Sequence, residues 1–301
     1  MGDDSTVSSL SYVEDHQLTE GAQWTSALTN AGSWSWSSEV NGVELADQFV
    51  REGFVRIDAA FSEPVAAQCR AQLWELMDAS PDDPTSWKSP VVRLGYQSGG
   101  TFEQSVNTPR LHEAYDELVG EGRWMARSDV GTFAIRFPSD QAPGDDGWHI
   151  DSSFPPGGHH EYNDPFAWRV NITSRGRALL MLMLFSDVGE DDAPTRLRIG
   201  SHREAARILA PHGEEGLSMM EVSSSAASAT IDFPEFLATG RAGDVYLCHP
   251  FMVHAAQRHR GTRVRFLAQP PLHLRGWIDS SFDVAAGDSP GELAIREAIR
   301  R

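Results

Sequence analysis

A mainly β fold with flanking helices is what this 301-residue sequence predicts, on three observations. Short β-rich runs separated by turn signals fill the chain from Val130 to Pro271. One of them, ALLMLMLFSDV from Ala178 to Val188, is too continuously apolar to face water on either side. Helical periodicity, by contrast, is concentrated in the N-terminal third. Six or more short strands behind helices suggest a β-sandwich or barrel buttressed on one side.

Residues 1–40 are rich in Ser, Thr, Gly and Asn, with isolated Trp24, Trp34 and Trp36. That composition suits an irregular arm pinned by aromatic anchors, ahead of a single domain over 41–301. From Val43 the pattern sharpens into a short helix ending near Gly53, a strand FVRID, and a helix capped by Ser62 with Val65, Cys69, Leu73 and Leu76 on one face. Pro81 to Pro84 breaks this opening unit, and a β-like run follows at Val91 to Tyr96. Thr108-Pro109 starts another helix, with Leu111, Tyr115 and Leu118 on one side and Gly120 at its end.

After Val130 the runs GTFAIRF, WHID, FAWRVNIT, ALLMLMLFSDV and TRLRIGSH read as strands. A helical patch near Arg203 to Leu209 and a polar Ser/Ala-rich connection over 217–230 precede two last strands, GDVYLCHP and RVRFLAQPP. In the last of these Val264, Phe266 and Ala268 share one face, so Arg265 points to the other. An arginine in an apolar strand is costly unless an anion meets it, so a protein or ligand carboxylate is implied.

Composition narrows the classes. The 25 basic and 43 acidic residues give a net charge of −18, which argues against nucleic acid and anionic membrane surfaces as partners and favours a neutral or cationic small molecule over a polyanion. No apolar run approaches the roughly 20 residues that cross a bilayer, and no export signal is read. Cys69 and Cys248 each sit in an apolar pattern and read as buried thiols, which places the chain in the reducing cytoplasm. The oligomeric state is not encoded legibly.

His149 and Asp151, two apart in a strand-like run, project to one face, which is metal-ligand geometry. Alone the pair says little, since His159-His160-Glu161 and His202-Arg203-Glu204 repeat the spacing in a chain of 11 histidines. Joined to a histidine roughly a hundred residues later, the pair completes two imidazoles and one carboxylate, the set that binds one face of Fe(II). His254 and His249 compete for that third place. A strand, a turn and an antiparallel return would bring Arg265, eleven residues beyond His254, beside the metal face.

Taken together, HID at 149–151, TRLRIGSHR at 195–203, GDVYLCHPFMVHAA at 243–256, Arg265 and the opening unit at 49–73 resemble the phytanoyl-CoA dioxygenase-like family of Fe(II)/2-oxoglutarate oxygenases. The resemblance spans about residues 43 to 275. It implies a double-stranded β-helix, a jelly-roll with a cupin-like core, behind the helical N-terminal third. It implies iron ligands at His149, Asp151 and His254, the second histidine of H-x4-H, with Arg265 anchoring 2-oxoglutarate and Thr195 adding a hydroxyl contact. The implied chemistry consumes O2 and 2-oxoglutarate, releases succinate and CO2, and oxidises a small metabolite by hydroxylation, desaturation or oxidative cyclisation. Related halogenases lack the carboxylate that Asp151 supplies.

The segment over 154–176 looks longer than the family usually carries. It reads as a substrate-covering insertion offering Phe154, His159, His160, Tyr162 and Trp168, or as a hairpin guarding a sheet edge; His159-His160-Glu161 could also hold a second metal. Arg136 could face pocket or solvent. Two other functions stay open: a zinc hydrolase on the same His/Asp/His site, which the arginine offset and the missing H-E-x-x-H disfavour, and a catalytically degenerate jelly-roll that binds a ligand.

Overall fold

The computed structural model describes residues 42–156 and 167–300. In chain order its helices are α1 Gly42–Glu52, α2 Glu63–Glu75, α3 Gly100–Val106, α4 Pro109–Val119, α5 Ser201–Leu209, α6 Met219–Ala229 and α7 Pro290–Ile299. Its strands are β1 Phe54–Ile57, β2 Val91–Leu94, β3 Phe133–Arg136, β4 Arg169–Val170, β5 Arg177–Leu184, β6 Thr195–Arg198, β7 Leu217–Ser218, β8 Glu235–Ala238, β9 Val245–Cys248, β10 His254–Ala255, β11 Leu267–Ala268 and β12 Pro271–His273. All pairings between them are antiparallel.

The apolar run at 178–184 becomes β5, near the middle of a seven-stranded sheet ordered β1-β9-β5-β11-β3-β2, with β12 also paired to β5. Its alternation explains why it is apolar on both faces. Leu180, Leu182 and Leu184 join Tyr246, Cys248, Leu197 and Ala238 in a cluster between this sheet and the smaller one, β10-β6-β8. Leu179, Met181 and Met183 point the other way, into a larger cluster with Cys69 and Leu73 of α2, Tyr115 and Leu118 of α4, Leu209 of α5 and Ile295 of α7. Successive side chains on a strand face opposite sides, so a strand between a partner sheet and a helical layer has no polar position. The result is a mainly β jelly-roll of antiparallel sheets with helices packed on its outer face.

The helix signals hold with local exceptions. Gly53 closes α1 at φ 87°, where a Cβ would lie 2.3 Å from His202 Nδ1, so glycine is required at this turn. Thr108 caps α4 by accepting from the Leu111 N–H at 3.2 Å. Ser62 occupies the cap of α2 without a side-chain hydrogen bond. Leu76, expected on the buried face, is 57% exposed, because α2 ends at Glu75 and the chain leaves the helical frame there.

The connection expected over 217–230 is in fact α6. Ser218 and Glu221 form a reciprocal capping box, and Val222, Ser223 and Ala226 are buried. Small residues at that spacing allow close packing, which a reading of Ser and Ala as linker residues overlooked. The same signature, Ser289 with Glu292, starts the unanticipated α7. Conversely, FAWRVNIT yields only the two residues of β4, and WHID is a single bridge rather than a strand.

Cys69 and Cys248 are buried free thiols, and among the described residues no helix is long and apolar enough to cross a membrane. The arm at 1–40, with its three tryptophans, lies outside the described residues. Leu182, fully buried and paired across the sheet with Tyr246, is the position at which truncation should be felt most. Replacing Leu182 by Ala is expected to cost about 2–5 kcal/mol, read as a lowered urea midpoint with an unchanged m value.

Candidate functional site

Strand alternation decides which side chains enter the space between the sheets. On β3, Phe133 and Ile135 belong to the helix-facing cluster, so Ala134 and Arg136 face inward. On the return strand Phe266 and Ala268 pack toward the helices and Leu267 toward the smaller sheet, so Arg265 also faces inward. The two arginines sit opposite one another: each main-chain N–H donates to the other's carbonyl, at 3.0 and 2.9 Å. From the smaller sheet come Thr195 at the start of β6 and His254 at the start of β10. These residues line one cavity of about 300 Å³, together with His149, Asp151, Arg93 and Asp145.

His149 reaches that cavity through a second backbone pair. Its N–H donates to the His254 carbonyl at 2.9 Å and the His254 N–H donates back at 3.0 Å. Neighbours fix the segment on either side. Trp148 lies under the guanidiniums of both Arg196 and Arg198, at 4.6 and 4.1 Å from its ring. Ser223 of α6 accepts from the Ile150 N–H at 3.1 Å and donates to the Ile150 carbonyl at 3.4 Å. The residue between the two predicted ligands thus has both its polar groups satisfied by one hydroxyl.

His149, Asp151 and His254 present one ligand atom each within 4.8 Å of one another. His149 Nδ1 is 2.9 Å from the Gly147 carbonyl and His254 Nδ1 is 3.0 Å from that of Met252. A carbonyl only accepts, so each Nδ1 carries the proton and each Nε2 turns a lone pair inward. Both Nε2 atoms lie 3.7 Å from Asp151 Oδ1, too far for hydrogen bonds. The other carboxylate oxygen, Oδ2, accepts from Arg177 at 2.8 Å. Burial works to raise the Asp151 pKa, yet Arg177, His254 and His149 together hold it well below the usual carboxylate range. Burial, followed by the nearby His149, pushes His254 down to about 4, with Asp151 opposing. The site therefore brings together two imidazoles, that of His254 held unprotonated, and an ionised carboxylate, which is a donor set fit for a divalent transition metal.

Arg265 is 2% exposed, donating to the Ala193 carbonyl at 2.6 Å and the Ala134 carbonyl at 3.2 Å, while its buried Nε has no partner among the described residues. Ala193 is held at φ 53°, a strained conformation for a residue with a Cβ. Arg136, 3% exposed, spends Nη2 on both oxygens of Asp145 at 2.8 Å and leaves Nε and Nη1 buried without partners among the described residues. Asp145 is shared with Arg93. Burial and then Arg136 press the Arg265 pKa well down, with Asp145 opposing. Two buried guanidiniums facing one shared carboxylate leave a cationic surplus suited to an anion.

All five predicted site residues line this cavity, and Arg136, left undecided by the sequence, joins them. His249 does not. Its Nδ1 accepts from the Phe251 N–H at 3.1 Å, its Nε2 lies 3.2 Å from the Gly291 carbonyl at the start of α7, and its ring packs on His202 and Phe251 at 5.0 Å. Both nitrogens are engaged, Nδ1 within the turn after β9 and Nε2 in joining that turn to α7. Arg177 and Ser223 were missed, since a strand-start arginine and a serine in a Ser/Ala stretch carry no local signal. Of the insertion at 154–176, Phe154 is buried, pairs with Arg169 through the backbone and lies under Arg175. His159, His160, Glu161 and Tyr162 lie outside the described residues.

No protein-family model matches the chain, and no curated protein matches it. Among solved structures, the non-heme alpha-ketoglutarate dependent epimerase SnoN from nogalamycin biosynthesis is similar at TM-score 0.52 and 19% identity, over 77% of this chain and 82% of that one. SnoN in complex with Fe3+, alpha ketoglutarate and nogalamycin RO aligns at TM-score 0.50 and 17% identity, over 77% and 83%. At these identities the likeness shows the fold.

Burial lowers the His249 pKa from 6.5 to about 3, with the Gly291 carbonyl opposing. The unfolded chain therefore takes up this proton first as the pH falls, so stability is full above 6.5 and lost progressively toward 3. Urea midpoints measured from pH 7 to 4 are expected to fall, and His249→Asn is expected to remove about one proton from that dependence.

Proposed function

We propose that this chain is an Fe(II)/2-oxoglutarate-dependent oxygenase of the phytanoyl-CoA dioxygenase-like kind. It would oxidise a small-molecule metabolite by hydroxylation, desaturation or oxidative cyclisation. One observation carries the reading: two imidazole Nε2 atoms and a carboxylate oxygen converge in the same cavity as a buried arginine with an unpartnered Nε. A zinc hydrolase has use for the first half of that arrangement but none for the second.

His149, Asp151 and His254 would hold the metal from one side, leaving its other positions open to the cavity. Arg265, in a site where water is excluded, would meet the remote carboxylate of 2-oxoglutarate with the N–H that now lacks a partner. Thr195, 3% exposed on the cavity wall, supplies a hydroxyl for the same acid. When bound, iron with 2-oxoglutarate and O2 would supply the two-electron oxidation of a C–H bond, with succinate and CO2 released. The carboxylate at Asp151 occupies the place a halide would need, which favours oxidation over halogenation.

The small-molecule substrate is supported by the likeness to SnoN, whose structure holds nogalamycin RO; a product of secondary metabolism fits that company. The acidity of the chain favours a neutral or cationic substrate, bound where the arginine surplus is already matched by the co-substrate.

Anaerobic addition of Fe(II) and 2-oxoglutarate is expected to produce a weak visible metal-to-ligand charge-transfer band. Its absence, with the protein folded, would count decisively against the oxygenase reading. Arg265→Leu is expected to weaken 2-oxoglutarate binding by about 10-fold or more, the worth of a charge-assisted hydrogen bond in a buried site, while Fe(II) binding persists. Loss of Fe(II) binding with 2-oxoglutarate affinity intact would reverse the assignment.

A further inference from the structure

Asp151 places its two oxygens in different company. Oδ1 stands between the imidazoles, 3.7 Å from each Nε2, whereas Oδ2 is 2.8 Å from Arg177 Nη1. We propose that Arg177 is a positioning residue for the metal site: it engages one oxygen of Asp151 and so restricts that carboxylate to single-oxygen ligation. The inference rests on the metal-site reading above.

The mount of Arg177 supports this role. Arg177 is the first residue of β5, the longest strand of the sheet and buried at its other seven positions, and its side chain is 11% exposed. The turn before it is determined from several sides. Ser174, at φ 46°, donates its hydroxyl to the Arg177 carbonyl at 2.8 Å, and its own carbonyl accepts from the Arg177 N–H at 3.2 Å. The Gly176 N–H donates to the Ser280 carbonyl at 2.8 Å, and the Gly176 carbonyl lies 3.0 Å from His273 Nδ1. Asn171 Oδ1 accepts from the Arg175 N–H at 2.9 Å. A side chain leaving so constrained a turn has a fixed origin, and a strained Ser174 is tolerated only where its surroundings determine it.

The chemistry follows from the geometry of a carboxylate. A free carboxylate can close on a metal with both oxygens and consume a position that a chelating co-substrate needs. With Oδ2 engaged by the guanidinium, only Oδ1 is offered. The carboxylate is held as well as engaged, since the Arg177 contact and the Ser223 contacts to Ile150 hold the side chain and the backbone of one short segment.

The test is Co(II) binding to the full chain, followed by tryptophan fluorescence and calorimetry, in the parent protein, Arg177→Met and Arg177→Lys. Circular dichroism and the melting transition serve as folding controls. Arg177→Met is expected to lose about 10–100-fold in Co(II) affinity, Arg177→Lys to recover part of it, and the Co(II) visible spectrum of Arg177→Met to change in shape. Folded Arg177→Met with parental affinity and spectrum would overturn the role of Arg177 and leave the metal site standing. A parent chain that binds no Co(II) would overturn the metal site itself, and the inference with it. Should Arg177→Met fail to fold, Arg177→Lys decides alone: parental affinity and spectrum overturn the proposal, and weakened binding with an altered spectrum supports it.

Discussion

The pairing of two backbones at His149 and His254 is the constraint on which the site depends. These residues lie about a hundred positions apart, and closing a loop of that length has an entropic cost that a pair of hydrogen bonds cannot meet alone. The pairing persists because each partner is held from its far side. The Val253 N–H donates to the Ser201 hydroxyl, and its carbonyl accepts from the Arg198 N–H. On the other flank Trp148 is covered by two guanidiniums and Ile150 is engaged by Ser223. Remove these contacts and the imidazoles, whose rings stand 4.3 Å apart, lose the frame that aims both Nε2 atoms at one point.

The second constraint is electrostatic. A protein with a net charge of −18 concentrates arginine at the cavity between its sheets, where Arg265 and Arg136 are almost fully buried. Net charge describes the long-range field, while recognition at the cavity is governed by unpartnered N–H groups a few ångströms away. The acidic balance and the cationic cavity are thus compatible. The sheet supplies the placement: because Phe133, Ile135, Phe266 and Ala268 must face the helices, the residues between them face the interior whether or not they are polar.

Much of this was legible in the residues. The apolar density of β5 announced a strand buried on both faces, and the alternation around Arg265 announced an inward arginine. Thr108 and Pro109 announced a helix start, and H-x-D a pair on one face. What was not legible was set by partners distant in sequence. Ser218 to Ala229 forms a helix because small residues fit against a core that only exists once the sheets have closed. Leu76 is exposed because α2 ends one residue earlier. Arg177 resembles any strand-start arginine until β5 carries it alongside Asp151.

His249 and His254 mark the boundary most clearly. The sequence by itself determined that His149 and Asp151 are followed by two candidate histidines in this stretch, of which the resemblance favoured His254, because residue type and order are local properties that survive without coordinates. Which histidine stands beside that pair was decided by tertiary structure. The turn after β9 brings His249 against α7, where the Phe251 N–H and the Gly291 carbonyl occupy both of its nitrogens, and carries His254 on to the cavity with Nε2 exposed to Asp151. The physical reason is that an imidazole has only two nitrogens, and only the folded chain determines what each of them meets.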